Sequence, residues 1–510
     1  MTTSPPHTLV IGAGIGGLTA GVLLLKAGHR VTVLEAHVYP GGCAGTFYHK
    51  KFRFDAGATL AGGFAPGGPH ARVAEALGLT WPIHPVNPAW VVHLPDGRSV
   101  TQWTDPQQWQ AERQAAFPGT EPFWQTLETL ADVSWDVSSR PFPWPPESLH
   151  DIYTLARAVC PKTLRSLPYL LRTIGSLMST DDPLFRAFVD AQLLISAQTT
   201  SDQANALYGS AALDLPRRGV NHVQGGIGAL ADTLVNWIRQ NGGEVLFRQQ
   251  VTQIEIENGR AKAVRTKKGL YLEADNILAN LTPWALRDLL GDNAPARLAR
   301  EVQQREATWG AFTLYLGVDA AKLSSANASH HQIIVDAERP LGEGNSVFVS
   351  MSDPDDGKRA PAGQGAITLS THTAIAPWWQ LRHGDKAAYH ARRDAYTERL
   401  LNAAELALPG LRNAITLCLP GTPVTFQFYT RRPSGMVGGF PQKSILQARG
   451  PSTGIENVWL VGDSIFPGQS TAGVTLGGMR VAALVARMSR LKRPFRLWQP
   501  NLSQPNTAKS

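Results

Sequence analysis

Residues 8–36 read TLVIGAGIGGLTAGVLLLKAGHRVTVLEA, and this stretch decides the fold. Its apolar opening, Leu9-Val10-Ile11, suits a strand buried on both faces of a parallel sheet. The run stops at Gly12-Ala13-Gly14-Ile15-Gly16-Gly17, which fits G-x-G-x-x-G with Gly12, Gly14 and Gly17 at the three glycine positions. The first glycine permits a tight turn, and the second lets main chain approach a pyrophosphate. The third lets a helix pack close to the strand. Residues 18–27 read as that helix, whose amino end aims free N–H groups and the positive dipole end at the phosphates. Residues 31–34 form a second strand that ends on Glu35, 23 positions after Gly12. That is close to the spacing of about 20 at which a carboxylate accepts from the adenosine ribose. Strand, turn, helix, second strand and terminal acid together predict a dinucleotide site in a Rossmann-like α/β domain.

Composition bounds what surrounds this unit. At 510 residues the chain exceeds one simple core, so two interleaved domains are expected. Hydrophobic residues at 43% and charged residues at 17% describe a globular protein. A net charge of +8 and a pI near 9.4 point to an anionic partner, either nucleic acid or a membrane face. Lys and Arg are scattered, and no helix-turn-helix, finger or RNA-binding signature occurs, so nucleic acid is set aside. Cys43, Cys160 and Cys418 lie far apart with no C-x-x-C pair, as reduced cytosolic thiols do. Residues 1–7 carry no signal-peptide pattern, and no apolar run of about 18 residues occurs. The expectation is a protein on the cytoplasmic side without a transmembrane helix.

Further along, Gly41-Gly42 would let main chain run against a cofactor, and Asp55-Ala56-Gly57 leads into a glycine-rich turn over 62–68. Residues 81–216 change character, with many Trp and Pro. Within 152–178, apolar Leu155, Leu164, Leu167 and Leu171 alternate with Arg157, Arg165 and Arg172, broken by Pro161 and Pro168. Short helices lying in a membrane interface and ordinary core-facing helices both fit that pattern. Gly225-Gly226 then opens a helix over 231–240, followed by a β-meander turning at Asn258-Gly259 and Lys268-Gly269. A second sheet is predicted over 309–318, 331–335, 346–351 and 365–371, then a helix over 387–408 stopped by Pro409-Gly410. His330-His331 has no third ligand at useful spacing, so no metal site is expected. A strand over 458–461 runs into Gly462-Asp463, where a doubly wound sheet binds its ligand. Gly473-Val474-Thr475 leads to a helix over 476–488. The resulting division assigns 1–80, 217–300 and 420–490 to the dinucleotide domain. A mixed α+β substrate and membrane-docking domain takes 81–216 and 301–419, and 491–510 is a loose tail.

These segments resemble the phytoene desaturase-type flavoprotein family, a branch of the fold shared with amine oxidases and GDP-dissociation inhibitors. The resemblance spans nearly the whole chain. Within the family, EAHVYPGGCAGTF, FDAGATLAGGFAPGGPH, FQFYTRRPSGMVGGFPQ and VGDSIFPGQSTAGVTLGGMR look most like bacterial C-3′,4′ carotenoid desaturases. Cys43 departs from the family pattern, which often has arginine after the second Gly-Gly. The resemblance implies FAD as cofactor, a glutathione reductase/amine oxidase-type FAD domain, and a carotenoid substrate. It places Gly12, Gly14 and Gly17 at the pyrophosphate, Glu35 at the ribose, Gly41 and Gly42 along the cofactor, and Val251 main chain at the adenine. Gly462 and Asp463 would bind the ribityl–phosphate portion, with Val474 and Thr475 beside the isoalloxazine. The implied reaction is hydride transfer from an allylic carbon to the flavin, then proton loss from its neighbour, with oxygen or quinone as electron acceptor. A hydrocarbon is gripped by burial, at roughly 25 cal/mol per Å², and its polyene spreads the developing charge. No catalytic acid or base is therefore assigned. Arg431 and Arg432 read as exposed side chains or as contacts to substrate or flavin, and Cys43 as packing. Alternatives are a carotenoid cis–trans isomerase, an amine oxidase, an NAD dehydrogenase and a non-catalytic protein like the GDP-dissociation inhibitors. Glu35 and Gly462-Asp463, present together, argue against the last.

Overall fold

Leu9, Val10 and Ile11 lie in the central strand, His7–Ile11, of a five-stranded parallel sheet. Its order is Glu244–Leu246, Arg30–Leu34, His7–Ile11, Asn276–Ala279, Val458–Leu460. The computed structural model describes residues 4–140, 144–146, 149–158, 161–305, 309–323 and 328–488. Cys160 and the tail at 491–510 lie outside the described residues.

The first helix spans Ile15–Lys26 and begins three residues earlier than the glycines suggest. Glycine costs a helix about 1 kcal/mol, but here close packing decides. A Cβ on Gly16 would stand 3.2 Å from the Cα of Gly462, and one on Gly17 would stand 2.7 Å from the Cβ of Asn280. Every residue from Ile15 to Leu24 is buried, because the helices Ala229–Gln240 and Thr471–Met488 pack on it. The expected meander is present as Val251–Glu257, Arg260–Thr266 and Tyr271–Glu273, antiparallel throughout.

A second sheet has seven strands, ordered Ile415–Gly421, Gly310–Asp319, Gln364–Thr373, Ser346–Met351, His330–Ile334, Trp90–His93, Ser99–Gln102. Four of these match the strands expected from the sequence, whereas Trp90–His93 and Ser99–Gln102 lie in the Trp- and Pro-rich stretch and were not expected. Ile415–Gly421 was not either, since it is an edge strand carrying Pro420, tolerated there because no neighbour needs its missing N–H. The long helix Lys386–Ala407 covers this sheet with Tyr396, Leu400 and Leu401. The chain leaves the dinucleotide region at Ile83–Val86 and returns at Val220–Val223, and these two strands pair antiparallel.

Around Pro161 and Pro168 the chain forms short pieces, Leu149–Ala158, Pro161–Leu164 and the single turn Leu167–Tyr169. Part of this segment faces a core, with Ile174 fully buried and Tyr169, Leu170 and Leu177 packed against Leu130 and Leu207, but several apolar side chains do not. Leu149 is 86% exposed and Leu171 79%, with Ile152, Tyr153, Leu164 and Leu167 also exposed. That removes the core-facing alternative for these side chains. No helix among the described residues is long and apolar enough to cross a membrane.

Candidate active site

Segments far apart in sequence converge at the carboxyl ends of the parallel strands. Gly12 turns with φ of +92°, a conformation that favours glycine, and its N–H donates to Leu34 O at 2.8 Å. The Glu35 carboxylate accepts from the N–H groups of Ala13 and His37, each at 2.7 Å. Burial pushes the Glu35 pKa up, opposed by main-chain N–H groups of His37, Ala13 and Ala36. The Gly41 N–H donates to Ala13 O at 2.8 Å and so ties the second glycine pair to the first. From the far end of the chain, Gly462, at φ of +111°, closes against Gly16.

Asn280 is the residue that sequence reasoning missed. It follows Asn276–Ala279, and its side chain threads between the glycines. A Cβ on Gly14 would come within 2.4 Å of Asn280 Nδ2, and one on Gly462 within 2.9 Å of Oδ1. Nδ2 also donates to Gly12 O at 3.4 Å. The one signal for it was positional, a polar residue ending a buried strand at the sheet's ligand edge.

Arg432 corrects the reading of an exposed arginine. It lies mostly buried, and its Nη1 donates to Asp463 Oδ2 at 2.8 Å, Nε to Met436 O at 2.9 Å and Nη2 to Gly438 O at 2.5 Å. Burial works against its charge, and the Asp463 carboxylate outweighs that effect. Arg431 is exposed and lies 5.3 Å over the Phe428 ring. Burial pushes the Cys43 thiol up, which suits packing and not attack.

Gly12, Gly14, Glu35, Gly41, Gly42, Val251, Gly462, Asp463 and Val474 line one cavity of 1110 Å³. Gly17 and Thr475 do not. Gly17 is buried behind the wall against Asn280, and Thr475 is fully buried within Thr471–Met488. The cavity continues over one face of the seven-stranded sheet, along the cross-strand row Thr313, Ser370, Phe348, Gln332. Trp90, Trp379 and Phe426 add aromatic wall. His372 also lines it, and burial lowers its pKa to about 4, so the ring is neutral at pH 7.

His330 and His331 are buried and their rings are engaged. His331 bonds His93 and Ala328 O, each at 3.0 Å, and His330 bonds Ser350 Oγ at 3.0 Å. Elsewhere His84, His222 and Asp353 lie close together. There His84 Nε2 meets Asp353 at 2.9 Å and His222 Nε2 meets Asp356 at 3.2 Å.

The cavity fits a flavin dinucleotide in its own terms. The Gly12–Gly14 turn contributes wall without side chains, and the helix behind it has no acidic residue in its first turn to offset its positive end. The family of flavin containing amine oxidoreductases matches residues 15–486. The chain belongs to that family. The prolycopene isomerase of Daucus carota chloroplasts is 28% identical to it, over 94% of this chain and 79% of that protein. The neurosporene-forming phytoene desaturase of Cereibacter sphaeroides is 25% identical, over 94% of each. Among solved structures, an oxidoreductase from Methanosarcina mazei superposes with TM-score 0.63 at 20% identity, covering 93% of this chain and 99% of that one. Putrescine oxidase with bound putrescine superposes at 0.62 and 15% identity, covering 95% and 99%. This flavin containing amine oxidoreductase family member is thus an FAD oxidoreductase with a Rossmann-like FAD domain, similar to carotenoid desaturases and isomerases.

Proposed function

We propose that the protein is a carotenoid desaturase that introduces a C-3′,4′ double bond into an acyclic, 1′-hydroxylated carotenoid end. The observation that carries this reading is one cavity joining the glycine turn and Asp463 to an aromatic-walled sheet face. Its 1110 Å³ exceeds the roughly 300–1,000 Å³ of ordinary ligand pockets, in keeping with a dinucleotide and a polyene end together. Bound FAD supplies the hydride acceptor. In this reading Gly12 and Gly14 approach the pyrophosphate while Gly17 lets the helix close up. Glu35 takes the ribose, Gly41 and Gly42 flank the cofactor, and Val251 main chain meets the adenine. Gly462 and Asp463, the latter held by Arg432, would take the ribityl–phosphate portion, and Val474 would sit beside the isoalloxazine with Thr475 buried behind it. The aromatic wall buries the polyene and excludes water. No acid or base is assigned, because the polyene itself carries much of the developing charge.

The same reading gives 1–80, 217–300 and 420–490 to FAD, and 81–216 with 301–419 to substrate and membrane. The exposed Leu149, Ile152, Tyr153, Leu167 and Leu171, edged by Arg157, Arg165 and Arg172, support docking on an anionic membrane where carotenoids dissolve. Oxygen or quinone takes the electrons.

A second reading, carotenoid cis–trans isomerisation, is favoured by the greater identity to the prolycopene isomerases. Co-expression in a carotenoid-producing bacterium separates the two. A red-shifted pigment lacking two hydrogens is the expected result. A changed spectrum at unchanged mass supports isomerisation, and an unchanged pigment set defeats both.

A further inference from the structure

Gln332 stands in the wall of the cavity and is 1% exposed, yet neither Nε2 nor Oε1 has a hydrogen-bond partner among the described residues. Two neighbours share that state. The Gln332 strand pairs in parallel with Trp90–His93, with Gln332 opposite Val92, so Trp90 lies one step along the same face. Trp90 is 8% exposed and its Nε1 is unpaired. The helix Pro183–Ala197 packs on the Gln332 strand and carries Gln192, 7% exposed, whose Nε2 is likewise unpaired. Both also line the cavity. Proteins seldom leave buried amide and indole groups unmatched, and here three side chains do so around one end of one cavity.

Their chemistry specifies what would satisfy them. Three unpaired donor nitrogens accompany one unpaired acceptor, the Gln332 Oε1, and none of the three side chains is charged. A carboxylate or phosphate would bring charge with no counter-ion among them. A ketone would leave the acceptor unmatched, and a hydrocarbon would leave all four atoms unmatched. An alcohol oxygen accepts from two of the donors and gives its own hydrogen to Oε1, so it meets both kinds of group at once.

We propose that Gln332, with Trp90 and Gln192, seats a hydroxyl group of the polyene substrate and sets specificity for it. This rests on the reading that the cavity takes a carotenoid. The test uses the full-length, FAD-loaded protein in detergent micelles with two probes. One is an acyclic carotenoid bearing a tertiary end-group hydroxyl, and the other is the same carotenoid without it. Kd is read from quenching of tryptophan fluorescence. The wild type is expected to hold the alcohol about tenfold or more tighter. Gln332→Leu is expected to bring that ratio near one, and Trp90→Phe, which keeps the ring and loses the N–H, to lower it in part. Flavin content and circular dichroism report folding. If Gln332→Leu does not fold, Trp90→Phe and Gln192→Leu decide the matter by the same ratio. A wild type that binds both probes equally holds only water at the seat, and the proposal is overturned. Folded variants that keep the wild-type ratio overturn it too. A wild type that binds neither pigment instead overturns the carotenoid reading of the cavity.

Discussion

At the scale of single residues, Arg432 and Asp463 form a mostly buried ion pair at the junction of the cavity walls. An exposed pair contributes about 0–1 kcal/mol, whereas breaking a buried one costs about 3–5 kcal/mol because a charge is left unmatched. Arg432→Met also releases the carbonyls of Met436 and Gly438. We expect this variant to lose about 3 kcal/mol of stability by urea unfolding and to show a lower flavin-to-protein absorbance ratio after gel filtration. His70 sets a different dependence. Both of its ring nitrogens are buried without a partner, its ring stacks on Phe64 at 4.5 Å, and burial lowers its pKa from 6.5 to about 3. Between those values the unfolded chain binds a proton that the folded one refuses, so stability is lost as pH falls from 6.5 toward 3. The whole effect is about 5 kcal/mol at 1.36 kcal/mol per pH unit. His70→Phe keeps the stack without the proton, and its unfolding free energy should fall less steeply between pH 6.5 and 4 than that of the wild type. Parallel slopes would rule this out. Neither Asn280 nor the Arg432–Asp463 pair was legible as such, because the meaning of each lies in a neighbour far along the chain. Gly12, Gly14 and Glu35 were legible because turn, approach and acid sit within one local unit.

Among the elements, the crossing of Ile15–Lys26 and Thr471–Met488 is the contact on which the FAD domain closes. A Cβ on Gly478 would stand 2.5 Å from Gly16 O and 3.0 Å from Thr19 Cβ. Helix propensity favours Ala over Gly by about 1 kcal/mol. Backbone cannot yield as a side chain does, and overpacking costs about 1–3 kcal/mol, so the clash wins. Gly478→Ala should lower the melting temperature and weaken flavin retention. Gly477→Ala should do the opposite, since its Cβ would meet nothing closer than 3.7 Å. A scanning calorimetry trace for each variant checks the sign, and two shifts in the same direction would defeat the argument. The Thr471–Met488 helix starts five residues before the expected position. Gly473 and Val474 read as loop on propensity, but Ser470 Oγ accepts from the Gly473 N–H at 3.0 Å and caps the turn. Four strands of the second sheet were legible, but Trp90–His93 and Ser99–Gln102 were not, nor was the edge strand containing Pro420, because only its place in the sheet makes that proline harmless.

Across the whole molecule, the cavity and the exposed apolar patch belong to one design in the proposed reading. Each fully buried Leu side chain contributes about 1.5–3 kcal/mol, so Leu149→Glu with Leu171→Glu should reduce co-sedimentation with phosphatidylserine vesicles more than tenfold. Flavin content should hold, since neither residue lines the cavity. Undiminished vesicle binding would place the membrane contact elsewhere. The meeting of Gly16 with Gly462 and Gly478 also bears on how the protein is made. The glycine turn leaves the ribosome early, yet the wall it closes against arrives some 450 residues later. At roughly 5–20 residues per second, the nascent chain spends about 20–90 s with that turn facing solvent. Flavin capture is therefore expected to follow translation, and a chain truncated ahead of Thr471–Met488 is expected to emerge colourless however well its first strands have formed.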